Sequence, residues 1–146
     1  MLAATLGLGS LACGGQSGVA TTATTATTPD GTASAGGITL QILAPAEGAT
    51  VTNPFTLRVE ATGIQIAPAS AQVPGAAHYH AFLDADPVAE GKLIPSGAGI
   101  FHFTDPVQLR AGAGEHSVTV VLGDNGHVRL KGAPAAKVTF SVGPNG

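Results

Sequence analysis

From residue 38 onward the apolar positions fall into short runs of Val, Ile, Leu, Thr and Phe, separated roughly every ten residues by Gly, Pro, Asn or Asp. In Phe55-Thr-Leu-Arg-Val-Glu-Ala61 the alternation is strict: Phe55, Leu57, Val59 and Ala61 share one face, and Thr56, Arg58 and Glu60 share the other. A strand with a period of two residues puts the first set into a core and the second into water. The same period groups Val138, Phe140 and Val142, and also Val118, Val120 and Leu122, which precede the turn residues Gly123, Asp124, Asn125 and Gly126. No window of helical length has a 3.6-residue period, so helix content is expected near zero. The pattern predicts strands over residues 38–43, 55–61, 79–84, 100–104, 107–110, 116–122, 127–130 and 137–142. About eight short strands at this spacing imply an all-β sandwich of two packed antiparallel sheets over residues 38–143.

The first 37 residues have a different texture. Residues 2–12 are an apolar run that ends at Cys13. A run of about a dozen apolar residues is too short to cross a bilayer as a helix, for which ~20 are needed. It fits the core of an export signal, and because basic residues usually precede such a core, the natural start is expected to lie upstream. Cys13 is the single cysteine, so no disulfide can form within the chain. With Ala12 before it and Gly14 after it, Cys13 reads as a lipoprotein cleavage and acylation site, although Ser10 and Leu11 depart from the usual lipobox. Residues 14–37 are nearly all Gly, Ser, Thr and Ala, a composition that cannot bury a core and reads as a disordered tether. The expectation is an exported cell-envelope domain, periplasmic or on the outer surface, that touches the membrane only through an N-terminal lipid anchor.

Charge narrows the partners. Net charge is −3, and all six Lys and Arg side chains are scattered between Arg58 and Lys137. That leaves no basic patch for a phosphate backbone, so nucleic acid is not an expected partner. No catalytic arrangement stands out either. Ser96 sits in Pro-Ser-Gly rather than in a Gly-x-Ser-x-Gly elbow, and Glu47, Glu60, Glu90 and Glu115 form no acid/base pairing. The chain is therefore not expected to be an enzyme.

Candidate chemistry lies in the five histidines, all between residues 78 and 127. His78 and His80 flank Tyr79, so a strand directs both imidazoles to one face with Cβ atoms ~7 Å apart, close enough to share an ion. A His-x-His pair is a common half of a Cu or Zn site. Asp84 continues that face and could orient an imidazole, or else serve the turn that follows. His102 alternates with Phe101 and Phe103 and points outward if the phenylalanines are core. His116 opens a strand and His127 follows a turn, the kind of position where a sandwich presents binding groups.

Residues 42–57 resemble the first hairpin of many bacterial Ig-like modules: Pro45 ends a strand, Gly48 permits a turn, and Val51 to Phe55 lead into the next strand. Three further segments carry a more specific likeness. They are Ala77-His-Tyr-His-Ala-Phe-Leu-Asp84, Ile100-Phe-His-Phe103, and the run from Gly114 to His127 that ends in Leu-Gly-Asp-Asn-Gly-His. These resemble the bacterial family known as domain of unknown function 4399. Its members carry a His-rich strand ending in Asp, a later His-x-His-Phe strand, and a Gly-x-His strand ending in Leu-Gly-Asp-x-x-His. The likeness covers about residues 39 to 142 and places the family pattern on His78, His80, Asp84, His102, His116, Asp124 and His127, with Ile100 where the family carries another histidine. Two functions remain open at this point. Either His78, His80, His102, His116 and His127 bind copper, zinc or a small ligand, with Asp84 and Asp124 in support, or the domain is a non-catalytic interaction module whose histidines only brace strand ends.

Overall fold

The computed structural model describes residues 31–144. Nine strands form two sheets: β1 (Thr32–Ala35), β2 (Ile38–Ala44), β3 (Thr50–Val51), β4 (Phe55–Thr62), β5 (His78–Leu83), β6 (Ile100–Phe103), β7 (Val107–Leu109), β8 (Gly114–Gly123) and β9 (Ala136–Val142). One sheet runs β1-β2-β4-β7 and the other β3-β9-β8-β5-β6. This is an Ig-like order, in which the first long strand is split between the sheets: β2 pairs with β4, and after Pro45 the chain crosses over so that β3 joins β9. Among the described residues there is no α-helix, only a short 3₁₀ turn at Ala69–Ala71. The leader, Cys13 and most of the tether lie outside the described residues.

The strand periods translate directly into burial. Phe55 and Leu57 are buried, while Thr56, Arg58 and Glu60 are exposed. Phe140 of β9 meets Phe55 of β4 across the interface, with ring centroids 5.0 Å apart. Leu40, Ile42, Val118, Val120, Leu122 and Val138 complete the central layer. Each such side chain contributes roughly 1.5–3 kcal/mol on burial.

Three expectations are corrected. Residues 32–35, expected within the disordered tether, form edge strand β1, whose four residues pair with Gln41 to Ile38 of β2. Backbone hydrogen bonding and the small buried Ala33 hold it there, and neither leaves an apolar pattern in the sequence. The sheets are not wholly antiparallel, because the two-residue β3 lies parallel to β9. Residues 127–130 form no strand. They make only single bridges, Val128 to Leu93 and Arg129 to Gly123, since their backbone groups are divided between the end of β8 and the 91–94 loop.

The five-stranded sheet is also covered on its outer face. Phe82, Val121 and Ile94 form a second, smaller core there, with Val88, Ile100 and Ala135 packed against it. This explains why β8 is buried on both faces over its second half, from Val118 to Gly123. The outer layer positions the functional side chains.

Candidate metal centre

In β5, Tyr79 and Ala81 point into the space between the sheets, so His78, His80 and Phe82 face the outer layer. Antiparallel register then sets their neighbours. His80 stands opposite His102 on β6 and opposite Val121 on β8, and His78 stands opposite Gly123. Phe101 and Phe103 pack against the main core, with the Phe103 ring 5.3 Å from that of Tyr79, so His102 projects outward beside the other two histidines. The ring of His80 packs directly on Gly123. A Cβ there would lie 2.7 Å from both Cδ2 and Nε2 of His80. Glycine at 123 is therefore a steric requirement of the imidazole.

His127 reaches the same place from a loop shaped by Asp124. Oδ1 of Asp124 accepts the backbone N–H groups of Gly126 at 2.8 Å and Val128 at 2.9 Å. The His127 N–H donates to the Asp124 carbonyl, and the His127 carbonyl accepts from Ile94 N–H. Held from both sides, His127 adopts a left-handed backbone with φ +58°. That conformation is uncommon for a non-glycine residue and is retained where the surroundings enforce it.

These elements bring three ring nitrogens together. His78 Nε2 lies 2.8 Å from His80 Nε2 and 3.2 Å from His127 Nδ1, and one donor atom from each ring lies within 4.8 Å of the other two. Donors about 2.0–2.1 Å from a tetrahedral Zn²⁺ are separated by about 3.3 Å. Two of the three separations are within about half an ångström of that spacing, and the third, at no more than 4.8 Å, closes to it with a ring shift of up to about 1.5 Å, so the trio can hold one metal ion. His78 and His80 are only 2% and 3% exposed. Burial, reinforced by neighbouring histidines, lowers the His78 pKa to about 4 and the His80 pKa to about 3. Both rings are neutral at pH 7 and keep a lone pair for a cation, which protons do not contest until well below that pH. His78 Nδ1 is buried without a hydrogen-bond partner.

The other expected residues divide. The His102 ring lies 5.5 Å from that of His127 and 6.4 Å from that of His78, at the rim of the trio and exposed. His116 is not part of the cluster. It pairs with Phe140 near the start of β8, seven residues or roughly 24 Å along the strand from Gly123. Its Nδ1 is 2.7 Å from Asp84 Oδ2 and its Nε2 is 2.9 Å from the Gly112 carbonyl, so both ring nitrogens are occupied. The Asp84 hydrogen bond raises the His116 pKa. Asp84, at φ +53° just after β5, also accepts from Ser117 N–H. It serves that turn and His116 rather than the trio. Asp124 acts through the backbone of the His127 loop.

A cavity of about 400 Å³ opens onto the trio, lined by His78, His102 and His127 together with Pro68, Ala69, Ser70, Phe103 and Thr104. Sequence reasoning missed Gly123 and the 68–70 wall. The first stands inside the Leu-Gly-Asp signature and could have been singled out there; the second leaves no local signal, because it meets the histidines only in the folded chain.

No curated protein and no solved structure matches the chain. The family described as "Domain of unknown function (DUF4399)" matches residues 57–143, which hold every histidine and the outer layer around them. With more than half of its length covered by that match, the chain belongs to the DUF4399 family.

Proposed function

We propose that this domain binds one divalent transition-metal ion, copper(II) or zinc(II), through His78, His80 and His127. The convergence of three ring nitrogens from two elements of the fold carries the reading. The donor set agrees with it: the only sulfur-bearing residues, Met1 and Cys13, precede the domain, and imidazole suits copper, zinc and nickel. A purely structural role fits the cluster poorly. Two histidines are desolvated far below their ordinary pKa, and His78 Nδ1 is buried without a partner, a loss of about 1–3 kcal/mol. The bracing role suits His116, whose two nitrogens are both hydrogen-bonded.

Dialysis against Cu(II) or Zn(II), followed by elemental analysis, tests the reading. One equivalent should be retained, and His80→Ala should abolish retention. If the wild-type protein retains no metal, the proposal fails. The domain is read as a binding module rather than an enzyme. Its place is read as the cell envelope, tethered through an acylated Cys13, and labelled palmitate incorporated by the wild-type chain but not by Cys13→Ala would support that anchor.

A further inference from the structure

We infer that the cavity in front of the histidine trio is a chamber for a small anionic co-ligand, a carboxylate or inorganic monoanion, bound at a fourth coordination position. This rests on the metal reading above. His78 and His127 line the chamber, whereas His80 packs on Gly123 and does not line it. Three ligands leave a tetrahedral ion with one open position, as in sites that exchange ligands, and the cavity lies on that side. Its volume of about 400 Å³ is far larger than one water requires and falls within the range of small-molecule sites.

Charge selects the ligand class. Three imidazole ligands bring no negative charge to a divalent ion, and among the described residues no carboxylate lines the cavity; Asp124 is felt at His78 only through space, one charge against the two of the ion. Asp124 Oδ1 is held by two backbone N–H groups, and Asp84 is held by His116 and Ser117. An anion drawn from solution is the partner this site lacks. The walls suit a small organic one. Pro68, Ala69 and Phe103 offer apolar surface, and the Ser70 hydroxyl offers a donor. Thr104 is already donating to Asp105, whose single exposed charge is outweighed by that of the ion.

The alternative occupant of the fourth position is His102, and the test separates the two. Copper(II)-loaded protein is titrated with azide, with charge-transfer absorption as the readout and acetate as competitor. Expected are a new band saturating at one azide per copper, its displacement by acetate, and at least tenfold weaker azide binding per bound copper in Ser70→Phe, which fills the chamber. Copper retained without an azide band in the wild type overturns the inference while leaving the metal reading intact. A band that appears only in His102→Ala does the same and assigns the position to His102. An azide affinity unchanged by Ser70→Phe also overturns the chamber. Failure to retain copper at all refutes both proposals.

Discussion

Burying two neutral imidazoles should make the metal-free protein acid-sensitive in a window set by their pKa shifts. In the unfolded chain both histidines titrate at 6.5; in the folded chain they titrate at about 4 for His78 and about 3 for His80. Below pH 6.5 the unfolded state therefore takes up protons that the folded state refuses, and stability falls with pH until the folded values are reached. At pH 5 each histidine lies 1.5 units below its unfolded pKa, which at about 1.4 kcal/mol per unit is a loss of about 2 kcal/mol each and up to about 4 kcal/mol for the pair. That is a large share of the ~5–15 kcal/mol typical of a domain. The other shifted groups do not confuse this window. The raised pKa of His116 gives stability that is complete below 6.5 and is lost only as pH rises through its folded value. The lowered pKa of Asp84, where hydrogen bonds from His116 and Ser117 outweigh the opposing effect of burial, gives stability lost only below the ordinary aspartate range. Urea unfolding followed by far-UV circular dichroism, in chelator at pH 6.5 and pH 5, should read about 3 kcal/mol of this loss, because at pH 6.5 the unfolded histidines are already half protonated. His78→Leu/His80→Leu should remove most of the pH dependence. A wild-type stability that changes by less than about 1 kcal/mol over this interval, or a slope that survives in the double variant, would refute the assignment of neutral buried rings.

Gly123→Ala would place a methyl group 2.7 Å from the His80 ring, so metal affinity should fall at least tenfold for a stability loss of about 1–3 kcal/mol; equilibrium dialysis and urea melts separate the two effects. Asp124→Ala removes the acceptor for Gly126 and Val128 N–H groups and loosens the His127 loop, so metal affinity should drop roughly 10- to 100-fold in the same dialysis assay. His116→Gln should lower the midpoint of unfolding by an amount corresponding to about 1–2 kcal/mol while metal stoichiometry and affinity stay at the wild-type value, because His116 lies far along β8 from the trio.

Most of the fold was legible because burial in a half-covered strand obeys a two-residue rule. Phe55 and Leu57, Val118 with Val120 and Leu122, and Val138 with Phe140 and Val142 all lie in the core as their alternation requires. What escaped notice lacks a side-chain pattern. The edge strand β1 is held by backbone pairing of Thr-Ala-Ser-Ala, and β3 is only two residues long. Residues 127–130 look like a strand by composition yet divide their hydrogen bonds between the end of β8 and the 91–94 loop.

For the site, the sequence by itself determined the chemistry on offer: five imidazoles, His78 and His80 on one face of one strand, and no sulfur ligand within the domain. It could not determine which of the five meet. Strand register decided that His102 stands beside His80. A left-handed turn residue, enforced by the Asp124 hydrogen bonds, decided that His127 joins them. The length of β8 decided that His116 does not, and placed it with Asp84 instead. The physical reason is one of range. Alternation along a strand is a local property carried by neighbouring residues, whereas a metal-ligand set is defined by distances of a few ångströms between segments nearly 50 residues apart, and only the packed chain fixes those.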